Sequence, residues 1–283
     1  MVEVPLIHQA LRFELGIDIC CIDHLQRNTY LATSSDGMRY VCKLHLKTNR
    51  IRAVSFCLNS IHKSPSQPSF AIPNLLLNSL AGDIPLLVFN YLDGDSLGSD
   101  SVSDLYPYFC SLALELESID VQMDSPNTVT FFHELQDEIF NSLAHDNFLS
   151  NFLPLIESLP SSQRLCFSHG DFSFQNILSV AKPLEYDFAL IDWEYCGLCY
   201  EGFDFAWLST LAHHTGAITL DLIPEPSANH LYFMYLGYLR LIYRLRSVRN
   251  RTELHLLHEL KVLKDFKQFL DYYSFDQLRY FEC

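Results

Sequence analysis

In HGDFSFQNIL, residues 169–178, a histidine, an acid and an amide occupy one short polar loop between apolar runs. The spacing is His169-x-Asp171-x4-Asn176, and Asp192 follows at the end of a later apolar run, FALID. Phosphoryl transfer asks for these types in this order. An acid receives the proton of an acceptor hydroxyl, an amide further on binds Mg2+, and a second metal-binding acid sits on the next hairpin. ATP's phosphates repel an incoming hydroxyl, so hard oxygen ligands must hold a cation against them. A carboxylate aligns the hydroxyl and accepts its proton. An amide oxygen ligates without adding negative charge. Asp171 is thus the expected base, with Asn176 and Asp192 as ligands. His169, the second catalytic candidate, is expected to fix the loop by hydrogen bonds. Glu194 stands near enough in sequence to reach the metal directly or through water.

The elements around these residues follow from periodicity. Helical apolar spacing covers 4–14 and 49–62, and 29–46 reads as two strands joined at Ser35-Asp36-Gly37. FAIPNLLLN and IPLLVFNYL read as two more strands, so residues 1–91 form a small sheet with a helix. The turn-rich DGDSLGSDS (93–101) marks a junction, and residues 92–283 form the second lobe. There helices are expected at about 102–119, 129–145, 148–158, 200–214, 228–248 and 252–272. RLCFSHG, NILSV and FALIDW supply short strands around the polar loop. The hairpin ILSVAKPLEYDFALI brings its ends together, so Asn176 and Asp192 can face one metal.

Composition narrows the class. A chain of 283 residues with 49% hydrophobic residues is long enough for a sizeable core. No apolar run reaches the roughly 18 residues of a membrane span. The start of the chain lacks the order of a signal peptide, so a soluble, cytoplasmic protein is expected. Nine scattered cysteines argue against a disulfide framework. CGLC (196–199) leaves a zinc or redox protein open, with no second ligand pair in sight. The net charge of −15 argues against nucleic acid, and no protein partner is expected. The charge is uneven: 37–82 holds six Lys or Arg and no acid, whereas 83–204 holds 21 acids and two bases. An anionic ligand suits the first region and a cationic one the second.

CFSHGDFSFQNIL, followed by FALIDWEYCGLCYEGFDFAWL, closely resembles the aminoglycoside phosphotransferase and choline kinase family. That family carries H-[GN]-D-x4-N-[IL]-L and then [IL]-D-[WF]-E-Y, and the YEGFD tail is most similar to the choline/ethanolamine kinase branch. The resemblance implies an α+β, bilobal, protein-kinase-like fold: a small N-terminal antiparallel sheet lobe and a larger, mainly helical C-terminal lobe. It implies transfer of the ATP γ-phosphate, with Mg2+, to a small-molecule hydroxyl. It makes Asp171 the base, Asn176 and Asp192 the magnesium ligands, and Asp204 a structural acid. Lys43, in RYVCKLH, stands where the family keeps a phosphate-binding lysine. LLVFNYLDGDSL resembles the hinge whose backbone, at about Phe89 to Tyr91, holds adenine.

Two departures stand out. The family's nucleotide loop is rich in small residues, but DHLQRNTYL has no glycine and offers only Asn28 and Thr29. The family's Glu partner of the strand lysine is missing, and Arg52 falls near its place. Either Arg52 helps bind phosphate, an acid from the other lobe substitutes, or nucleotide binding is weak. The acceptor reads as a cationic alcohol resembling choline or ethanolamine, held by cation–π contact with aromatics such as Trp207, Tyr235 and Tyr238. The tyrosines' spacing favours the core face of an amphipathic helix over a substrate-binding role. An aminoglycoside, thiamine or sugar kinase stays open, as does a pseudokinase-type binding module.

Overall fold

The computed structural model describes residues 3–46, 48–64, 68–81, 84–97, 99–119, 164–180, 186–248 and 251–273. The helices expected at 129–145 and 148–158 lie outside these residues. Among the described residues two compact units emerge, interleaved in sequence: one takes the chain up to Ser96 and again Asn176–Cys196, the other takes residues 97–119, 164–175 and the chain from Gly197 on.

The first unit is built on β-strand alternation. Strands β1 (Ile19–Gln26), β2 (Thr29–Ser34), β3 (Arg39–Leu44), β4 (Leu75–Ala81) and β5 (Ile84–Asn90) form an antiparallel sheet in the order β1-β2-β3-β5-β4. Side chains two apart share a face. Cys42 and Leu44 of β3 therefore join Tyr30, Ala32, Leu86 and Val88 in a core covered by Ile7 and Leu11 of helix α1 (Glu3–Glu14). Val41 and Lys43 face the other way, opposite Phe89 and Leu87. Helix α2 (Thr48–Lys63) belongs to the same unit. A smaller sheet orders β6 (Gly94–Ser96), β8 (Ile177–Val180) and β9 (Phe188–Leu190).

Among the described residues, the second unit pairs β7 (Leu165–Ser168) with β10 (Gly197–Tyr200) and carries four α-helices. These are α3 (Ser99–Ser118), α4 (Phe203–Thr215), α5 (Ala228–Arg246) and α6 (Glu253–Tyr272). Capping boxes start two of them: Ser227 with His230 for α5, and Thr252 with His255 for α6. Tyr106 of α3 meets the Ser209 hydroxyl of α4 at 2.6 Å. Gly237 lets α5 approach α4, because a Cβ there would stand 2.9 Å from Thr210 Oγ1.

Candidate active site

In the first unit the Asn176-to-Asp192 hairpin closes as its sequence requires. Ile177 pairs with Leu190, and the Ile191 amide donates to the Asn176 carbonyl at 2.9 Å. The open end thus carries Asn176 on one arm and Asp192 on the other. Asp192 adopts a left-handed backbone (φ 65°) and leads into a single 3-10 turn, Trp193–Tyr195. An aspartate tolerates that conformation better than most residues. Buried Trp193 anchors the turn, donating Nε1–H to the Leu190 carbonyl at 2.7 Å.

Lys43 answers the question of the missing glutamate. Its buried ammonium is hydrogen-bonded and ion-paired to Asp192, and it stands 3.3 Å from Glu194 Oε2. Burial alone would depress the lysine pKa. The two carboxylates outweigh it and hold the value above normal. The partner acids are Asp192, just before the 3-10 turn, and Glu194 within it, and neither comes from α2. Arg52 of α2 is exposed and does not line the cavity described next.

Lys43, Asp192 and Glu194 line one wall of a cavity of about 270 Å³ formed by this unit alone. Val41, Leu87, Phe89 and Ile191 make it largely apolar. Phe89 and Tyr91 both line it, and two amides on that segment are committed. Asn90 N–H donates to the Asn74 carbonyl, and Tyr91 N–H to the Arg39 carbonyl at 3.0 Å. Asn28 lies at the exposed β1–β2 turn, where its carbonyl accepts from Leu44 N–H, while its neighbours Gln26 and Thr29 reach the lining. The turn has no glycine, and Arg27 takes the left-handed conformation instead (φ 43°).

The second unit holds the other half of the motif. The buried carboxylate of Asp204, 1% exposed, accepts from the amides of His169 at 2.7 Å and Gly170 at 3.0 Å. Burial pushes its pKa up against the pull of these donors and His169. Gly170 has φ 79°, a conformation that excludes most other residues between the histidine and the acid. His169 is fully buried, and its Nδ1 accepts from the Asp171 amide at 3.3 Å. Asp171 itself is half-buried, with Oδ1 accepting Trp207 Nε1–H at 2.9 Å.

The three aromatic candidates make protein contacts. Tyr235 and Tyr238 of α5 are buried against Phe266 of α6, with centroids 5.5 Å apart in each pair. Tyr238 also bonds His213. Trp207 lies beneath the Arg240 guanidinium, 4.7 Å from its ring centroid. The expected stacking faces are thus covered by the protein's own groups. Sequence reading missed the Trp207–Asp171 bond, the Glu194–Lys43 pairing and the lining role of Thr29. Thr29 lies directly opposite Lys43 in the β2–β3 pair, so the hairpin register would have found the last.

CGLC proves to be the β10 strand, with Cys196 at its edge. All eight described cysteines are free, and burial pushes the Cys196 and Cys199 thiols well above their usual range. Among the described residues no group of three or more His, Cys, Asp or Glu could hold a metal. Mg2+ needs no such cage: one or two carboxylates suffice when phosphates and water complete the shell. Asp192, Glu194 and the Asn176 amide are hard oxygen donors that fit this mode.

A family model described as "Phosphotransferase enzyme family" (APH) matches residues 22–223. No curated protein sequence matches significantly. Among solved structures, a choline/ethanolamine kinase family protein from Mesorhizobium loti superposes with a TM-score of 0.68 at 11% identity, covering 99% of each chain. A microcompartment-associated aminopropanol kinase gives 0.60 at 15% identity, covering 98% of this chain and 99% of its own. Amicoumacin kinase hAmiN, solved with AMP-PNP, Ca2+ and Ami, gives 0.60 at 12% identity, covering 94% and 93%. At these identities the likeness establishes the kinase-like fold: an antiparallel sheet in the N-terminal part and helices in the C-terminal part.

Proposed function

Because this chain belongs to the phosphotransferase enzyme family, we propose that it moves the γ-phosphate of ATP to the hydroxyl of a small-molecule alcohol. The observation that carries this reading is the buried Lys43 ammonium held by Asp192 and Glu194 on the wall of an apolar cavity. The apolar wall suits a base, and the ammonium suits phosphate charge. In the reaction the acceptor oxygen bonds to the γ-phosphorus while the bond to the β–γ bridging oxygen breaks. ADP leaves and the hydroxyl proton passes to Asp171. Asn176, Asp192 and Glu194 are the residues that would hold Mg2+, whose charge offsets that of the phosphates. Asp204 and His169 keep the loop in place.

For the acceptor we favour a small amino alcohol. The acid-rich sequence of 83–204 suits a cation, and named neighbours include an aminopropanol kinase and a choline/ethanolamine kinase family protein. Aminoglycosides, thiamine and sugars are the alternatives within the family. The test is ADP release from ATP and Mg2+ across a panel of these alcohols. Acceptor-dependent release that Asp192→Ala abolishes is the expected result; no release with any member would refute the reading. A second reading, a nucleotide-binding module without turnover, draws on the glycine-free β1–β2 turn and the committed amides of Asn90 and Tyr91. It predicts thermal stabilisation by ATP with no ADP formed.

A further inference from the structure

We propose that Trp207 is a positioning residue for the Asp171 carboxylate and that Arg240 acts on that carboxylate through the indole. The inference rests on reading Asp171 as the group that receives the acceptor's proton. Its basis is a set of contacts within the second unit. Asp204 and Trp207 lie three apart on α4 and so share one helical face. From that face Asp204 holds the amides of His169 and Gly170, while Trp207 holds Oδ1 of Asp171 at 2.9 Å. One helix turn thus fixes both the backbone of the loop and the plane of its carboxylate. With Oδ1 committed to the indole, rotation of the carboxylate breaks a hydrogen bond, so its second oxygen keeps one orientation from turnover to turnover.

The indole is itself held. Trp207 is 3% exposed, and the guanidinium of Arg240, 2% exposed, lies over its ring at 4.7 Å. A cation over an indole face is attracted by the ring's electron density, and burial strengthens that attraction. The cation draws electron density from the ring, which makes the Nε1–H a stronger donor to Asp171. An ordinary core tryptophan needs neither a hydrogen bond to a half-buried acid nor a buried arginine over its face. Arg240 also bars that face to a ligand cation, so recognition of an amino alcohol must use other groups.

The test replaces Trp207 site-specifically by its benzothiophene isostere, which keeps shape and removes only the N–H. Trp207→Phe serves as the second variant, with Arg240→Lys and Arg240→Met beside it. Steady-state kinetics are read separately for ATP and acceptor, with thermal melting for the fold. The isostere is expected to lower kcat about 10- to 100-fold with the KM for ATP within about twofold and the melting temperature retained. Arg240→Met should lower kcat in the same direction, Arg240→Lys should restore most of it, and Arg240→Met should add little once the isostere is present. Unchanged kcat in the isostere, with wild-type enzyme active, overturns this inference and leaves the functional reading standing. So does a full additional loss from Arg240→Met in the isostere. Wild-type protein inert toward every acceptor removes the functional reading, and this inference with it.

Discussion

Lys43 shows how a single residue can be legible while its partners are not. Its strand, its place mid-strand and the absence of an acid from 37–82 can all be read locally. The carboxylates that neutralise it come from 149 and 151 residues away, a pairing set by the closing of a distant hairpin. The arrangement has a consequence. Lys43→Met leaves Asp192 and Glu194 as neighbouring carboxylates without their ammonium. Melting experiments should show the variant less stable than wild type, by on the order of 1–3 kcal/mol. Added Mg2+ or Mn2+ should raise its melting temperature more than that of wild type. ATP turnover should fall about 100-fold or more, since the phosphate charge loses its cation. A variant with unchanged melting and no larger response to divalent ions would show that the pairing contributes nothing.

At the scale of elements, periodicity recovered what was regular. The strands at 29–46, the α2 helix and the three C-terminal helices lie within a few residues of where spacing puts them. Strand β1 was missed because its sequence, ICCIDHLQ, buries only its first residue fully and shows no alternation. Strand β10 hid inside a C-x-x-C pattern of which only Cys199 lies in the strand, Cys196 closing the preceding 3-10 turn; both are buried. Glu117 was equally illegible. It closes α3 onto the start of α4, accepting Gly202 N–H at 2.7 Å, and burial raises its pKa to about 7. A raised acid stays protonated in the fold after the unfolded chain has released its proton. Stability therefore falls as pH rises from about 4.5 to about 7. Glu117→Gln keeps the accepting carbonyl and should flatten that fall, leaving the variant more stable than wild type at pH 8 by on the order of 1–3 kcal/mol. Identical pH–melting curves would sink this. Gly237 offers a second check on packing: Gly237→Val forces α5 away from Thr210. It should cost about 2–4 kcal/mol in chemical denaturation, whereas a cost below about 0.5 kcal/mol would contradict the close approach.

Over the whole molecule, sequence and structure agree on class and differ in detail. The order of elements already implied a sheet-rich first part and a helical second part, and both are present. No helix among the described residues is long and apolar enough to cross a membrane. The hairpin bearing Asn176 and Asp192 packs with the N-terminal sheet, although its sequence follows the start of the helical half. Sequence order could not reveal this, because the grouping arises from strand pairing between β6 and β8. The uneven charge along the sequence does not map onto the cavity: among the described residues, only Lys43 of the six bases in 37–82 lines it. The central claim is phosphoryl transfer with Asp171 as the receiving base. Its most direct test is ADP release coupled to acceptor phosphorylation, followed by phosphorus NMR in wild type and Asp171→Asn. Wild type should form one phosphorylated alcohol per ADP, and the variant should lose about 100- to 10,000-fold in kcat/KM with its fold intact. Equal rates in the two proteins, or ADP formed without any phosphorylated alcohol, would contradict the account.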